Sequence, residues 1–268
     1  MDDATYEQLK KRIGQLLDLD LDAYKQRQMR RRIETFVGRN STDPLAFIES
    51  LRTDKDLLRE LRDMLTINVT EFFRDAPQWQ LLRDQILPEL MKGSNRLSIW
   101  SAGCSTGDEP YSVAMTLDRL GRRTTSTILA TDFDRDVLVK AQAGGPYVQS
   151  ALKNVSAEDR EAYFDATETG GFKVKDNIRR GVQFRELNLL KDRFGERYDL
   201  ILCRNVTIYF DQPIKEALTQ RFRAALKPGG YLFIGATEAL LGAEGEGFKR
   251  TTGNFYRNEG TGTLARAA

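Results

Sequence analysis

Apolar residues in the first third of the chain recur every three or four positions. Tyr6, Leu9, Ile13, Leu16 and Leu17 form one stripe, and Met29, Ile33, Phe36 and Val37 form a second. This spacing places side chains on one face of an α-helix. Gly38 stands where the second helix is expected to stop. In "DPLAFIESLR", Asp43 suits an N-cap and Pro44 a first-turn position. "DKDLLRELRDMLTI" predicts a further helix. Residues 1–66 therefore read as an all-α N-terminal domain, with 67–96 as a linker and connecting helix.

From residue 97 the period changes. "LSIWSAG", "TSTILATD", "VQFRELNL", "YDLILCRN" and "GYLFIGAT" are short apolar runs, separated by helical patterns over 109–120, 134–142 and 213–226. This βαβ alternation predicts an α/β fold, a doubly wound Rossmann-like parallel sheet whose ligands sit at the carboxyl ends of the strands. "LKPGGYLFIG" reads as a helix end, a turn and a strand, and "FKRTTGNFYRN" as one final strand. Two strand-like runs around "TETGG" predict a small antiparallel hairpin, a β-subdomain insert at about 145–184. The sheet domain is expected to span 97–268.

Composition narrows the chemistry. The net charge of +2 gives no global pull toward nucleic acid or membrane. No apolar run approaches the ~18 residues of a membrane span, and "MDDATYEQLKKR" lacks a signal-peptide pattern. A cytoplasmic, monomeric protein with reduced Cys104 and Cys203 and no bound metal is expected. The chain has no histidine, so histidine-based triads and His-ligated metals are excluded.

Five stretches carry candidate chemistry. "LSIWSAGCSTGDEPYSVAM" runs from a strand through Gly103 and Gly107 into a helix that opens on Asp108 and Glu109. The acids oppose a pyrophosphate and favour a cationic or hydroxyl-bearing ligand. Asp132 ends the second strand, where this architecture grips ribose hydroxyls, and Asp134 is placed to cap the next helix. A glycine loop and a strand-end acid without a phosphate cradle point to a nucleoside lacking phosphates, which S-adenosylmethionine (SAM) fits. Glu109 is the better candidate for its cationic end. "TINVTEFFRD" sets Asn68, Thr70 and Arg74 among apolar residues, and "DLILCRNVTIYFD" runs a buried strand into Arg204, Asn205 and Tyr209. Finally, Lys25, Arg27, Arg30, Arg31 and Arg32 face only Glu34 in "YKQRQMRRRIE". This is either a solvated helix face or a dock for an acidic partner.

Together, "YKQRQMRRRI", "NVTEFFRD", "WSAGCSTGDEPYS", "ATDFDRDVL", "LNLL", "CRNVTIYF" and "LKPGGYLFIGATE" resemble the chemotaxis receptor methyltransferases of the CheR type over nearly the whole chain. The resemblance implies a helical domain followed by a SAM-dependent methyltransferase domain with a small β-subdomain. It implies that Asn68, Thr70 and Arg74 reach the cofactor and the reacting centre. Glu109 would lie near the methionine portion, Asp132 at the ribose, and Asn188 with Leu189 by the adenine. Arg204 and Asn205 would line the pocket with Gly103, and Tyr209 would stand near the methyl group. The basic helix would face the cytoplasmic methylation region of a receptor.

The implied reaction moves a methyl group from SAM to a receptor glutamate, leaving a glutamyl methyl ester and S-adenosylhomocysteine (SAH). A glutamate of pKa about 4.3 is already ionised at neutral pH, so the absence of histidine is consistent with that chemistry. Arg74 and Tyr209 are the catalytic candidates. The short "ATETGGF" loop departs from the longer loop by which some members tether to a receptor's C-terminal peptide. "GATE" stands where relatives often carry "GHSE". The alternatives are a SAM-dependent enzyme acting on RNA, or a non-catalytic SAM-binding adaptor.

Overall fold

The computed structural model describes residues 1–66, 68–240 and 247–260. The chain forms two compact units, one of residues 1–68 and 209–215, the other of residues 69–208 and those from 216 onward.

The first unit is helical: α1 (Asp3–Leu17), α2 (Gln26–Asn40), α3 (Pro44–Thr53) and α4 (Lys55–Thr66). Its stripes converge as the spacing predicts, burying Leu9, Ile13, Met29, Ile33, Val37, Phe47, Leu51 and Leu61. Asp43 caps α3 by accepting the Leu45 and Ala46 N–H groups, with Pro44 in the first turn. Gly38 does not end α2, which continues to Asn40. A glycine costs a helix about 1 kcal/mol, and the burial of Phe36 and Val37 beside it outweighs that. Phe210 joins this unit by packing edge-on against Tyr24, with ring centroids 5.1 Å apart.

The second unit is built on β1 (Ser98–Ala102), β2 (Thr127–Asp132), β3 (Phe164–Ala166), β4 (Phe172–Val174), β5 (Val182–Glu186), β6 (Tyr198–Cys203), β7 (Leu226–Ile234), β8 (Phe248–Arg250) and β9 (Phe255–Asn258). The main sheet runs β5-β2-β1-β6-β7-β9-β8, with β3 and β4 forming a separate antiparallel hairpin around the predicted turn. β5, β2, β1, β6 and β7 are parallel. β9 and β8 are antiparallel, so the predicted single final strand is a hairpin that turns between Arg250 and Phe255. "LKPGG" lies inside β7 rather than in a turn before it, and the pairing with β6 slips between Tyr198 and Leu200.

Helices α5 (Ala76–Leu81) and α6 (Leu87–Gly93) precede β1, with a π-turn between them. α7 (Asp108–Arg119) follows β1, and α8 (Arg135–Ala143) follows β2. α9 (Ala157–Tyr163) and α10 (Asp176–Arg179) flank the hairpin, and α11 (Gln212–Ala225) leads into β7. Strand order reverses between β1 and β6, which makes their carboxyl ends the switch point where ligands bind in this architecture. β6 is buried at all six positions, as expected of a central parallel strand covered on both faces. No helix of the described residues is long and apolar enough to cross a membrane.

At the opposite end of β6, Asp199 ties three strands together. Its carboxylate accepts the Ser98 N–H at 2.7 Å and the Lys227 ammonium at 2.8 Å. Asp199→Ala strands a half-buried lysine and a strand N–H. It is expected to cost about 2–3 kcal/mol in a urea melt, because both groups lose their shared acceptor.

Candidate functional site

The loop after β1 is shaped by its glycines. Gly103 has φ 83°, and a Cβ there would lie 2.5 Å from Val206 Cγ2. Its N–H, like that of Cys104, donates to the Thr131 carbonyl and holds the loop against β2. Gly107, at φ 94°, begins α7 with no side-chain cap. Asp108 is therefore not the N-cap. It sits one position inside the helix, accepts the Thr106 hydroxyl at 2.7 Å, and is buried.

Three carboxylates line this end of the sheet. Asp132 accepts the Ser105 N–H at 2.9 Å on one oxygen and the Asp134 N–H at 3.0 Å on the other. Burial pushes its pKa up from 3.8 to about 6, and that of Asp108 likewise to about 6. Glu109 accepts the Ser101 hydroxyl at 2.8 Å and faces Arg204 Nη1 at 3.4 Å. Burial raises its pKa against the opposing pull of Arg204. Asp134 caps α8, as expected, by accepting the Asp136 N–H. Burial pushes the Cys104 thiol well up, which removes it as a nucleophile.

Arg204, directly after β6, joins Glu109 to the segment before α5. Its Nη2 donates to the Arg74 carbonyl at 2.7 Å and to Asp75 Oδ2 at 2.8 Å, and its guanidinium lies 4.5 Å from the Phe233 ring centroid. Its side chain is only 2% exposed. The segment it grips is contorted. Phe73 and Asp75 have φ of 51° and 62°, a region that costs residues with a side chain about 1–3 kcal/mol each. Their geometry is held by the Phe73 N–H on Ser112 Oγ and the Trp79 indole N–H on the Arg74 carbonyl.

The predicted residues are thus partly gathered. Gly103, Glu109, Asp132, Arg204 and Asn205 lie at adjoining strand ends, with Arg74 tied in through its carbonyl. Arg74's own guanidinium donates to the Val69 carbonyl at 3.0 Å, and Thr70 is half-buried. Asn188 shapes the loop after β5 by accepting the Leu190 N–H. The Leu189 carbonyl accepts from Arg221. Asn68 and Tyr209 belong to the helical unit, where Tyr209 accepts the Lys25 N–H and its ring lies 5.3 Å from the Arg32 guanidinium. Asp75, Ser101, Tyr147 and Glu238 escaped sequence reading. Tyr147 donates to the Thr106 carbonyl at 2.7 Å and so braces the glycine loop. Only Asp75, adjacent to Arg74, carried a local signal.

The basic helix also divides. Arg30 pairs with Asp3 at 2.6 Å and Glu34 at 3.0 Å and lies over Tyr6. Arg32 bonds the Leu65 carbonyl at 3.3 Å. Arg27 and Arg31, one turn apart, are exposed, and Lys25 is the N-cap residue.

The donor set fits an α-amino acid end joined to a nucleoside. Arg204 Nε, a donor, and Asn205 Oδ1, an acceptor, are both buried without hydrogen-bond partners among the described residues. A carboxylate and an ammonium group complement them.

The family model described as "CheR methyltransferase, SAM binding domain" matches residues 68–256. A chemotaxis protein methyltransferase of Listeria monocytogenes is 37% identical, over 90% of this chain and 92% of its own length. Chemotaxis protein methyltransferase 1 of Pseudomonas aeruginosa is 42% identical, over 72% of this chain and 74% of its own.

The raised carboxylate values give a pH prediction. Between 3.8 and about 6, native Asp132 and Asp108 hold protons that the unfolded chain has released. Their contribution to ligand-free stability therefore falls as pH rises through that window. Ligand affinity runs the other way, because the ionised acids attract cations and accept hydroxyls. SAH affinity by calorimetry is expected to rise from pH 5 to 7, and Asp132→Asn should flatten the rise.

Proposed function

The chain belongs to the CheR methyltransferase family, and from that premise we propose that it methylates glutamate side chains of chemotaxis receptors, giving glutamyl methyl esters and SAH. The observation that carries the assignment is the site's charge. Three buried carboxylates, Asp108, Glu109 and Asp132, lie near the switch point, where Glu109 pairs with the buried Arg204, with no phosphate cradle. When bound, SAM supplies an electrophilic methyl group on a cationic sulfur.

In this reading Asp132 accepts from the ribose hydroxyls while two backbone N–H groups fix its orientation. Glu109 faces the cationic end. Arg204 Nε and Asn205 Oδ1 receive the carboxylate and ammonium of the methionine portion, and Asn188 and Leu189 flank the adenine. Gly103 keeps the loop clear of side-chain bulk, and Thr70 completes the pocket from the segment before α5. The substrate carboxylate is ionised at neutral pH and needs no base. What the protein must supply is alignment, with reacting atoms about 3–3.5 Å apart, and exclusion of water. Arg74, released from the Val69 carbonyl, orients the incoming carboxylate through a charge-assisted hydrogen bond.

Arg27 and Arg31 serve as the docking charges for an acidic helical segment of the receptor's cytoplasmic region. Arg30 and Arg32 hold the helical unit together, with Lys25 at the margin.

Labelled SAM incubated with receptor cytoplasmic fragments should yield label that alkali releases as methanol. Alkali-stable label, label in RNA instead, or no transfer with several receptors would overturn the assignment. The Arg27→Glu/Arg31→Glu double variant should lower receptor methylation about tenfold or more at low salt while SAH affinity holds. Arg30→Glu should instead lower the melting temperature.

A further inference from the structure

We propose that Glu238 is a positioning residue for the amino-acid end of the cofactor, acting through the Arg204–Thr207 turn. The proposal rests on the reading that Arg204 and Asn205 face that end. Glu238 follows β7 by four residues, and its carboxylate is fully used. Oε2 accepts the Gly235 N–H at 2.7 Å and the Asn205 N–H at 2.8 Å. Oε1 accepts the Thr207 N–H at 2.8 Å and the Thr207 hydroxyl at 2.7 Å. Four donors fill the lone-pair sites of an ionised carboxylate.

These bonds fix a conformation in which Asn205 has φ 61°, a left-handed value that asparagine adopts more readily than most residues with a side chain. Its N–H lies beyond the sheet ladder, because β6 and β7 pair only as far as Cys203 and Ile234. The strands are thus complete without Glu238. What its carboxylate fixes is the direction in which the chain leaves β6, and with it the aim of Arg204 Nε and Asn205 Oδ1.

Gly235 makes the approach possible. A Cβ there would lie 2.8 Å from Glu238 Oε2 and 2.9 Å from both Asn205 nitrogens. Glutamine at 238 keeps the size but turns one acceptor into a donor that faces donors. Gly235→Ala disturbs the same contact while leaving the charge in place.

The test measures calorimetric affinity for two ligands, SAH and 5′-methylthioadenosine, which shares the adenosine and sulfur but lacks the amino-acid end. Glu238→Gln should weaken SAH about tenfold or more and leave 5′-methylthioadenosine within about twofold. A parallel loss of both ligands, or no loss of either, overturns the proposal, since a merely structural role cannot separate them. If Glu238→Gln fails to fold, Gly235→Ala carries the same two-ligand comparison. Arg204→Gln and Asn205→Ala are run alongside. If they leave SAH affinity unchanged, the reading of the site fails. If they weaken SAH and Glu238→Gln does not, only the role of Glu238 fails.

Discussion

The buried guanidinium of Arg204 is the contact on which the site's architecture depends. A desolvated arginine is costly unless its charge and donors are met. Here the charge and the two Nη groups are met from two directions, by Glu109 on α7 and by Asp75 with the Arg74 carbonyl before α5, while Nε has no partner among the described residues. Phe233 gives it an aromatic face at 4.5 Å. Without it, two carboxylates would lose their counterion and the contorted turn at Phe73–Asp75 would lose a principal restraint. The guanidinium thus sets how the end of β6, the start of α7 and the segment carrying Arg74 meet.

Around that ion cluster the site keeps an excess of negative charge. Asp108, Glu109 and Asp132 are buried, and the first and last carry pKa values pushed up to about 6. Holding them ionised near neutrality is unfavourable in the absence of a cation, and a cationic ligand relieves that cost. The same charge would repel a pyrophosphate. The glycine loop therefore serves a different end from a phosphate cradle. It clears space beside Val206 and lays two N–H groups on β2.

The absence of histidine is consistent with a nucleophile that arrives already ionised. The remaining task is alignment, which rigid backbone and paired charges perform well. That task explains why so many groups here act on the backbone rather than on a ligand. Tyr147 bonds Thr106, Trp79 bonds Arg74, and Glu238 bonds Asn205 and Thr207.

The sequence by itself determined what depends on local period and local chemistry. Helical stripes, apolar strands, the caps at Asp43 and Asp134, the hairpin around "TETGG" and the acids at Glu109 and Asp132 were all legible. Each is written within a few residues, in spacing or in turn chemistry. It misjudged Gly38 and "LKPGG", where burial and sheet pairing override residue preference. Tertiary structure alone decided which charges meet. Arg204 and Glu109 are 95 residues apart, and Asn205 and Glu238 are 33 apart. No local pattern encodes such partners. The run of arginines in α2 looked uniform in sequence, yet the fold divided it by placing Asp3 and the Leu65 carbonyl within reach of some and not others. A charge's role follows from what the folded chain brings beside it, and that is settled only when distant segments pack.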